Sequence, residues 1–263
     1  MPVSSERQAR GSYLPQAWTL VRTSAMALVA SPSAPGRHEA AGRLRRQLLW
    51  LTIIGAVLIV ALMFGFDATE IGMMPKRGDP SLWPARVLTD FGKDVYALWC
   101  LAAALLAVAI LGPLLHGPSR MRLLRLGTRL QYLFLAVLLP VLFAEGIKWA
   151  VGRGRPFVGG KANPFNFAPF TGSEAYFSFP SAHSVTAFAL AFAAGAVWPR
   201  ARIPIIVYAL AIGATRLVLL AHHPSDVVAG AVIGLIGAIV VRYYFAIRRL
   251  GFTVAGKGEI VPI

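Results

Sequence analysis

Six long apolar stretches constrain this chain more than any other feature of its sequence. They cover residues 48–66, 95–115, 130–150, 182–198, 203–222 and 226–247. Each has about the length that an α-helix needs to cross ~30 Å of hydrocarbon, and a helix satisfies its own backbone hydrogen bonds there. The sequence therefore predicts an all-α, polytopic membrane protein, built as a bundle of six transmembrane helices. The fourth stretch is the shortest, and its many Ala and Gly residues weaken its hydropathy signal.

The charged residues favour a membrane protein over a nucleic-acid-binding one. The 263 residues are 57% hydrophobic and only 14% charged, but 26 are Lys or Arg and 11 are Asp or Glu. These basic residues are spread over short loops, whereas a nucleic-acid-binding surface would concentrate them in one patch. We expect the lipid bilayer as a partner and no nucleic acid. The single cysteine, Cys100, lies in an apolar stretch and can form neither an intramolecular disulfide nor a cysteine-based metal cluster.

The loops on alternate sides of the six stretches differ in their basic content. Segments 1–47, 116–129, 199–202 and 248–263 hold 16 Lys and Arg residues, whereas loops 67–94 and 151–181 hold seven. Because basic loops stay in the cytoplasm, both termini should be cytoplasmic and the two poorer loops should face outward. In a bacterial inner membrane, the expected location, the outer face is periplasmic.

Three regions follow from this pattern. We expect residues 1–47 to be a basic cytoplasmic tail that is flexible or interfacial, residues 48–247 to be the six-helix domain, and residues 248–263 to be a short cytoplasmic tail. Residues 20–30 weakly resemble the apolar part of a signal peptide, but Arg22 interrupts them. Gly230 and Gly234 form a GxxxG pattern in the sixth stretch, which predicts close packing against another helix.

Polar residues at one end of the bundle form the candidate site, because ionisable groups in apolar helices are rare unless they have a function. They occur in three groups, and the topology places all three on the outer face. The groups are Lys148 and Arg155-Pro156, then Ser181-Ala182-His183, then Arg216, His222 and Asp226.

The cationic members of this set predict a phosphate-binding pocket. Lys148, Arg155 and Arg216 come from separate helices, and guanidinium groups match phosphate oxygens. Ser181 and Ala182 lie at the start of the fourth stretch, where free backbone N–H groups and the helix dipole attract anions. Taken singly, Lys148 or Arg155 has a structural alternative, since either side chain can extend to the membrane interface.

Two histidines in such a pocket can divide the work of phosphoryl transfer. Asp226 can orient His222 by accepting a hydrogen bond from one ring nitrogen, which leaves the other nitrogen free to attack phosphorus. His183 then protonates the leaving oxygen as the general acid. Each histidine alone has a structural alternative, but together with the cations they favour catalysis. No step requires a cofactor, and we expect no metal site.

Two neighbours of the site have simpler expected roles. Glu145 lies one helical turn before Lys148 and can pair with it. His223 follows the proposed nucleophile in a His-His-Pro turn, and we expect a structural or interfacial role for it.

These motifs resemble those of the type 2 phosphatidic acid phosphatase superfamily, KxxxxxxRP, PSGH and SRxxxxxHxxxD. Residues 148–226 hold all three, with Ala182 in place of the usual glycine and Thr215 in place of the usual serine. The resemblance implies metal-independent hydrolysis of a lipid phosphate or diphosphate through a phosphohistidine. It implies the roles given above for His222, His183 and Asp226.

The resemblance leaves several functions open. The lipid could be phosphatidic acid, phosphatidylglycerol phosphate, undecaprenyl diphosphate or lipid A phosphate. The protein could also transfer phosphate from one lipid to another, or bind a lipid without catalysis. Vanadium-dependent haloperoxidases share similar motifs, but they are soluble, whereas this chain has six apolar stretches. The sequence does not indicate an oligomeric state.

Overall fold

A computed structural model describes residues 13–159 and 163–263. Residues 1–12 of the expected tail and residues 160–162 of the second outer loop lie outside the described residues. The helices are α1 (Tyr13–Val29), α2 (Arg37–Gly65), α3 (Asp67–Met73), α4 (Trp83–Asp90), α5 (Asp94–Leu111), α6 (Gly117–Val151), α7 (Ala182–Val197), α8 (Arg202–Val218) and α9 (Pro224–Ile247). Strands β1 (Phe252–Ala255) and β2 (Glu259–Pro262) form an antiparallel hairpin.

Within the described part of the chain, five helical stretches are long and apolar enough to cross a membrane. They are Arg37–Gly65, Pro80–Leu111, Gly117–Val151, Pro199–Val218 and Pro224–Ile247. The predicted fourth span corresponds to α7, which is apolar but has only 16 residues. The chain is therefore a helical, multi-pass membrane protein, with five spans by length and composition and a shorter apolar helix where the sixth was expected.

Helix α7 lies at the centre of the bundle, in contact with α6, α8 and α9. Most of its side chains are buried, and they are mainly small, as expected of a helix that is surrounded by other helices. This position explains its weak hydropathy signal, because its Ala and Gly residues allow close packing between helices.

The GxxxG pattern of α9 packs against α7, as predicted. A methyl group on Gly230 would lie 2.8 Å from Cβ of Ser184, and one on Gly234 would lie 3.0 Å from the backbone nitrogen of Ala189. Both distances are shorter than normal carbon contacts, so only glycine permits this approach. The contact holds the start of α7 against α9.

The outer surface of the bundle is apolar, as a bilayer requires. Helix α2 exposes Ile54, Val57 and Phe64, and α5 exposes Trp99 and Leu106. These side chains are exposed in the structure, so lipid is the environment that suits them.

The described terminal segments pack on the bundle. The hydroxyl of Tyr13 in α1 donates to the carbonyl of Ile110 at 2.8 Å, and Phe252 of the hairpin packs edge-on against Tyr132 of α6, with ring centroids 4.8 Å apart. Helix α2 begins at Arg37, ahead of the expected boundary at residue 48. Basic residues thus occupy the first turns of a helix that continues into the apolar stretch.

Candidate active site

The C-terminal end of α6 supplies the first cation of the site. Lys148 is buried and pairs with Glu145 one turn earlier, Nζ to Oε1 at 2.5 Å. Gly152 ends the helix with φ 56°, and a Cβ there would lie 2.7 Å from the backbone nitrogen of Pro169. Only glycine fits this turn, which carries the following residues, Arg153 and Arg155, back over the end of the bundle.

The N-terminal end of α7 supplies backbone donors. Ser181 is the N-cap, but its side chain makes no capping hydrogen bond, and its backbone N–H donates to the carbonyl of Asp226 at 3.0 Å. That bond ties the start of α7 to the start of α9. The first N–H groups of α7, at Ala182 and His183, therefore form a helix terminus that suits an anion.

The end of α8, the end of α4 and the turn after α4 close another side of the site. Arg216 is buried, and its Nη1 donates to Oγ1 of Thr89 in the last turn of α4 at 2.6 Å. In the turn after α4, a methyl group on Gly92 would lie 3.2 Å from Cδ2 of His183. The sequence did not identify Thr89 or Gly92, because a single threonine and a single glycine outside the motifs carry no distinctive signal.

Four of the predicted residues place buried polar atoms in this region without a partner. These atoms, which have no hydrogen bond to any residue that the structure describes, are Nε of Arg155, Oγ of Ser181, Nε2 of His183 and Nε of Arg216. Lys148, Arg155 and Arg216 all act electrostatically on His183 and on His222, so the three predicted groups meet at one place. Buried donors without acceptors are costly, and an anion rich in oxygen atoms would satisfy them.

His222 has a defined tautomer. Its ring is buried, and Nδ1 lies 2.7 Å from the backbone carbonyl of Ser178. A carbonyl oxygen only accepts, so Nδ1 carries the proton and Nε2 of the neutral ring keeps its lone pair. Burial, followed by the charges of Arg216 and Arg155, holds the pKa of His222 well below its usual value, although the Ser178 carbonyl acts in the opposite direction. The ring is therefore neutral near pH 7.

The contact of Asp226 differs from the expected one. Its Oδ2 lies 3.9 Å from Nδ1 of His222, too far for a hydrogen bond. It accepts instead from Oγ of Ser178 at 2.6 Å and from the backbone N–H of His223 at 2.8 Å. Asp226 thus holds Ser178, whose carbonyl orients His222 and which lies in the segment that precedes α7.

A buried ionic network supports Asp226. Arg153 donates from Nη1 to Oδ1 of Asp226 at 2.6 Å and from Nη2 to Oδ2 of Asp67 at 2.8 Å. Asp67 also accepts from the backbone N–H of Ser225 at 3.0 Å. All these side chains are buried. Two ion pairs with shared hydrogen bonds compensate for the removal of three charges from water.

The sequence analysis gave no role to Arg153 or Asp67. A signal existed, since Asp67 and Glu70 directly follow the first apolar stretch and Arg153 lies inside the first motif. Their pairing joins residues 86 positions apart, so spacing along the chain could not show it.

Glu70 is a second buried acid beside this network. It is 1% exposed, and neither carboxylate oxygen has a hydrogen-bond partner among the described residues. Burial, together with the charges of Asp67 and Asp226, raises the pKa of Glu70 to about 7. His223 is fully buried and is the N-cap residue of α9, which is a structural role.

Part of the chain is similar to known proteins. Residues 129–250 match the model of the PAP2 superfamily. A lipid A 1-phosphatase of Rhizobium johnstonii is 40% identical over 127 residues, which are 48% of this chain and 52% of the relative. A lipid A 1-phosphatase of Rhizobium etli is 39% identical over 127 residues, 48% of this chain and 55% of the relative.

The matches cover only part of this chain and of each relative. Each spans about half the length of the relative, and no solved structure shows a significant match. The matched segment 129–250 contains every residue of the three motifs, from Lys148 to Asp226, together with the C-terminal part of α6 and the helices α7 to α9. This segment of the chain, and with it the candidate active site, is therefore similar to the PAP2 superfamily.

Proposed function

We propose that this protein is a lipid phosphatase that works through a phosphohistidine on His222 and needs no metal ion. The observation that carries the proposal is the state of His222, a neutral ring with its Nε2 lone pair beside a cluster of unpaired cationic donors. A neutral imidazole is a nucleophile, and a cationic pocket attracts a phosphate monoester. The same cations would repel a metal ion.

The first step is transfer of the phosphoryl group to the enzyme. Nε2 of His222 attacks phosphorus as the bond from phosphorus to the lipid oxygen breaks. The non-bridging oxygens accept from Arg155, Arg216 and Lys148 and from the N–H groups that begin α7, which lowers the energy of the charged transition state. Burial, followed by the charges of Arg216 and Lys148, lowers the pKa of His183 to about 3 in the protein alone, and the negative charge of a bound phosphate opposes those charges. His183, protonated on both ring nitrogens when phosphate is bound, donates the proton of Nε2 to the leaving oxygen and becomes neutral, and the lipid alcohol departs.

The second step returns the enzyme to its starting state. His183, now without that proton, removes one from a water molecule as the water oxygen attacks phosphorus. The bond between phosphorus and Nε2 of His222 breaks, inorganic phosphate leaves, and His183 is protonated again. The Ser178 carbonyl holds the proton of Nδ1 throughout and stabilises the phosphorylated ring, in which both nitrogens are bonded.

Lipid A phosphate is the substrate we propose first among the four lipids that the motifs allow. It is supported by the two Rhizobium relatives, both named lipid A 1-phosphatase and both about 40% identical over the shared segment. We also propose that the site faces the periplasm, since the loops at the opposite end of the helices carry most of the Lys and Arg residues.

Phosphate release from a lipid panel tests this proposal. Purified protein in detergent would be given lipid A, phosphatidic acid, phosphatidylglycerol phosphate or undecaprenyl diphosphate, with excess chelator present. We expect release from lipid A at the highest rate, undiminished by chelator, and inhibition by vanadate, which mimics the phosphoryl transition state. The His222→Ala variant should release none.

The outcomes separate the parts of the proposal. Loss of activity with chelator, or full activity of His222→Ala, would exclude the mechanism. A preference for another lipid would change the proposed substrate but would leave the proposed mechanism unaffected. Release of lipid alcohol that requires a second lipid as phosphate acceptor would make the protein a transferase.

A further inference from the structure

A cavity lies between α7, α8 and α9 at the end of the helices opposite the histidines. Its volume is about 230 Å³, and its walls are mostly apolar, with Phe188, Phe192, Ile206 and Leu235 among them. Ile206 is 45% exposed on the outer face of α8, so lipid chains in the bilayer can reach the cavity. The proposed phosphatase reaction uses no residue of this region.

Two arginines line this apolar cavity, Arg202 from the start of α8 and Arg242 from α9. Arg242 stacks on the ring of Phe192, with Cζ 4.9 Å from its centroid, and its buried Nε has no partner among the described residues. Arg202 donates to the carbonyl of Gly195 through a long hydrogen bond of 3.4 Å. Most of the donor capacity of the two guanidinium groups is therefore available to a ligand.

The charge around the cavity is not balanced. Neither arginine forms an ion pair with a described residue, and the residues that line this cavity include no acid; Arg242 also lines an adjacent cavity to which Glu259 contributes. Unpaired cations inside a membrane bundle are costly, and such residues mark binding sites in membrane proteins. An anion between the two arginines would accept hydrogen bonds from their free donors.

The position of the cavity indicates which kind of anion binds there. Arg242 lies near the end of the last span, where α9 approaches the interface, and basic pockets between transmembrane helices on the cytoplasmic side bind anionic headgroups. An acyl chain fits the aromatic and aliphatic wall, and a phosphodiester fits two guanidinium groups. We propose that this cavity binds an anionic glycerophospholipid of the inner leaflet, with its phosphodiester held by Arg202 and Arg242.

Thermal unfolding of the purified full-length protein in neutral detergent tests this site. Added phosphatidylglycerol should raise the unfolding temperature by several degrees more than phosphatidylcholine, which has no net charge. Arg202→Gln and Arg242→Gln should each lose most of this difference. Phosphatidylglycerol has no phosphate monoester and is not a phosphatase substrate, and the measurement would be repeated in a His222→Ala background to remove catalysis.

Arg200→Gln is the matched control. It removes one positive charge from the same turn, but Arg200 does not line the cavity. It should keep the full response to phosphatidylglycerol. If all three variants lost the response to phosphatidylglycerol equally, the lipid would be attracted only by the positive charge of the surface. If the two cavity variants kept the full response, the site would be excluded.

A second comparison separates a lipid from a free anion. Inorganic phosphate and glycerol phosphate, at the same concentration as the lipid, should stabilise the protein far less than phosphatidylglycerol does. If either anion stabilised the protein as much as phosphatidylglycerol does, the proposed contribution of the acyl chain to binding would be wrong. The result does not depend on the proposed reaction, because each measurement reports binding and can be made on the His222→Ala protein.

Discussion

A backbone carbonyl, that of Ser178, fixes the proton on the ring of the proposed nucleophile. The sequence predicted the histidine and the aspartate of this arrangement, because both are polar residues in an otherwise apolar region. It predicted a direct bond between them, and the structure instead inserts Ser178 between His222 and Asp226. A backbone acceptor has no side-chain signature, so no motif could have revealed it.

The two arginines of the first motif should have different roles, and substitution can separate them. Arg153→Met removes the partner of two buried carboxylates, Asp67 and Asp226, and should cost about 3–5 kcal/mol of stability. Arg155→Met removes a side chain without an ion pair among the described residues, so it should lower phosphate release while changing stability little. Thermal unfolding and phosphate release of both variants check this difference. Equal stability losses would contradict it.

Glu70 should make stability depend on pH. Its pKa in the folded protein, about 7, lies above the ordinary value of 4.5. The contribution of the protonated carboxyl is therefore fully present below about pH 4.5 and is lost as the pH rises through about 7. Glu70→Gln keeps a neutral side chain at every pH and should lose less stability than the native protein over this interval.

Comparing the native protein with Glu70→Gln separates the contribution of Glu70 to stability from the contributions of other titratable groups. The pKa of His222 is lowered by folding, so its contribution changes in the opposite direction, but it is present in both proteins. Unfolding temperatures measured from pH 5 to pH 8 should therefore diverge, with the variant relatively more stable at pH 8. Parallel curves would show that Glu70 does not titrate in this range.

At the scale of the helix, the sequence predicted most of the bundle. The apolar stretches correspond to α2, α5, α6, α7, α8 and α9, because helix formation in a bilayer follows directly from hydropathy. The stretches did not show where helices extend past the hydrocarbon, as α2 and α6 do. They also did not show that the end of α4 reaches the site through Thr89, because its contact with Arg216 joins residues that are far apart in the sequence.

The contact between α7 and α9 predicts opposite results for two glycines. Gly230→Ala places a methyl group against Ser184 and should cost about 1–3 kcal/mol while it displaces the phosphate-binding start of α7. Gly146→Ala in α6 meets nothing within 4 Å, and its effect should stay within about 1 kcal/mol. Thermal unfolding and phosphate release measure both. A Gly230→Ala protein with native stability would mean that the helices can separate without cost.

At the scale of the molecule, the asymmetry of basic residues predicts one orientation. Cysteine labelling tests it in a Cys100→Ala background, since the chain has one native cysteine. Thr171→Cys lies in the outer loop and Lys257→Cys in the C-terminal hairpin, and both positions are exposed. An impermeant maleimide should label the first in intact spheroplasts and the second only after permeabilisation. The reverse pattern would place the site in the cytoplasm.

The phosphohistidine on His222 is the claim on which the proposed reaction depends. Rapid quenching of the purified protein after mixing with lipid A labelled at its phosphate groups tests it directly. We predict transient, acid-labile and alkali-stable label on His222, and none in His222→Ala. Label on another residue, or full phosphate release by His222→Ala without labelled protein, would contradict the proposed phosphohistidine mechanism.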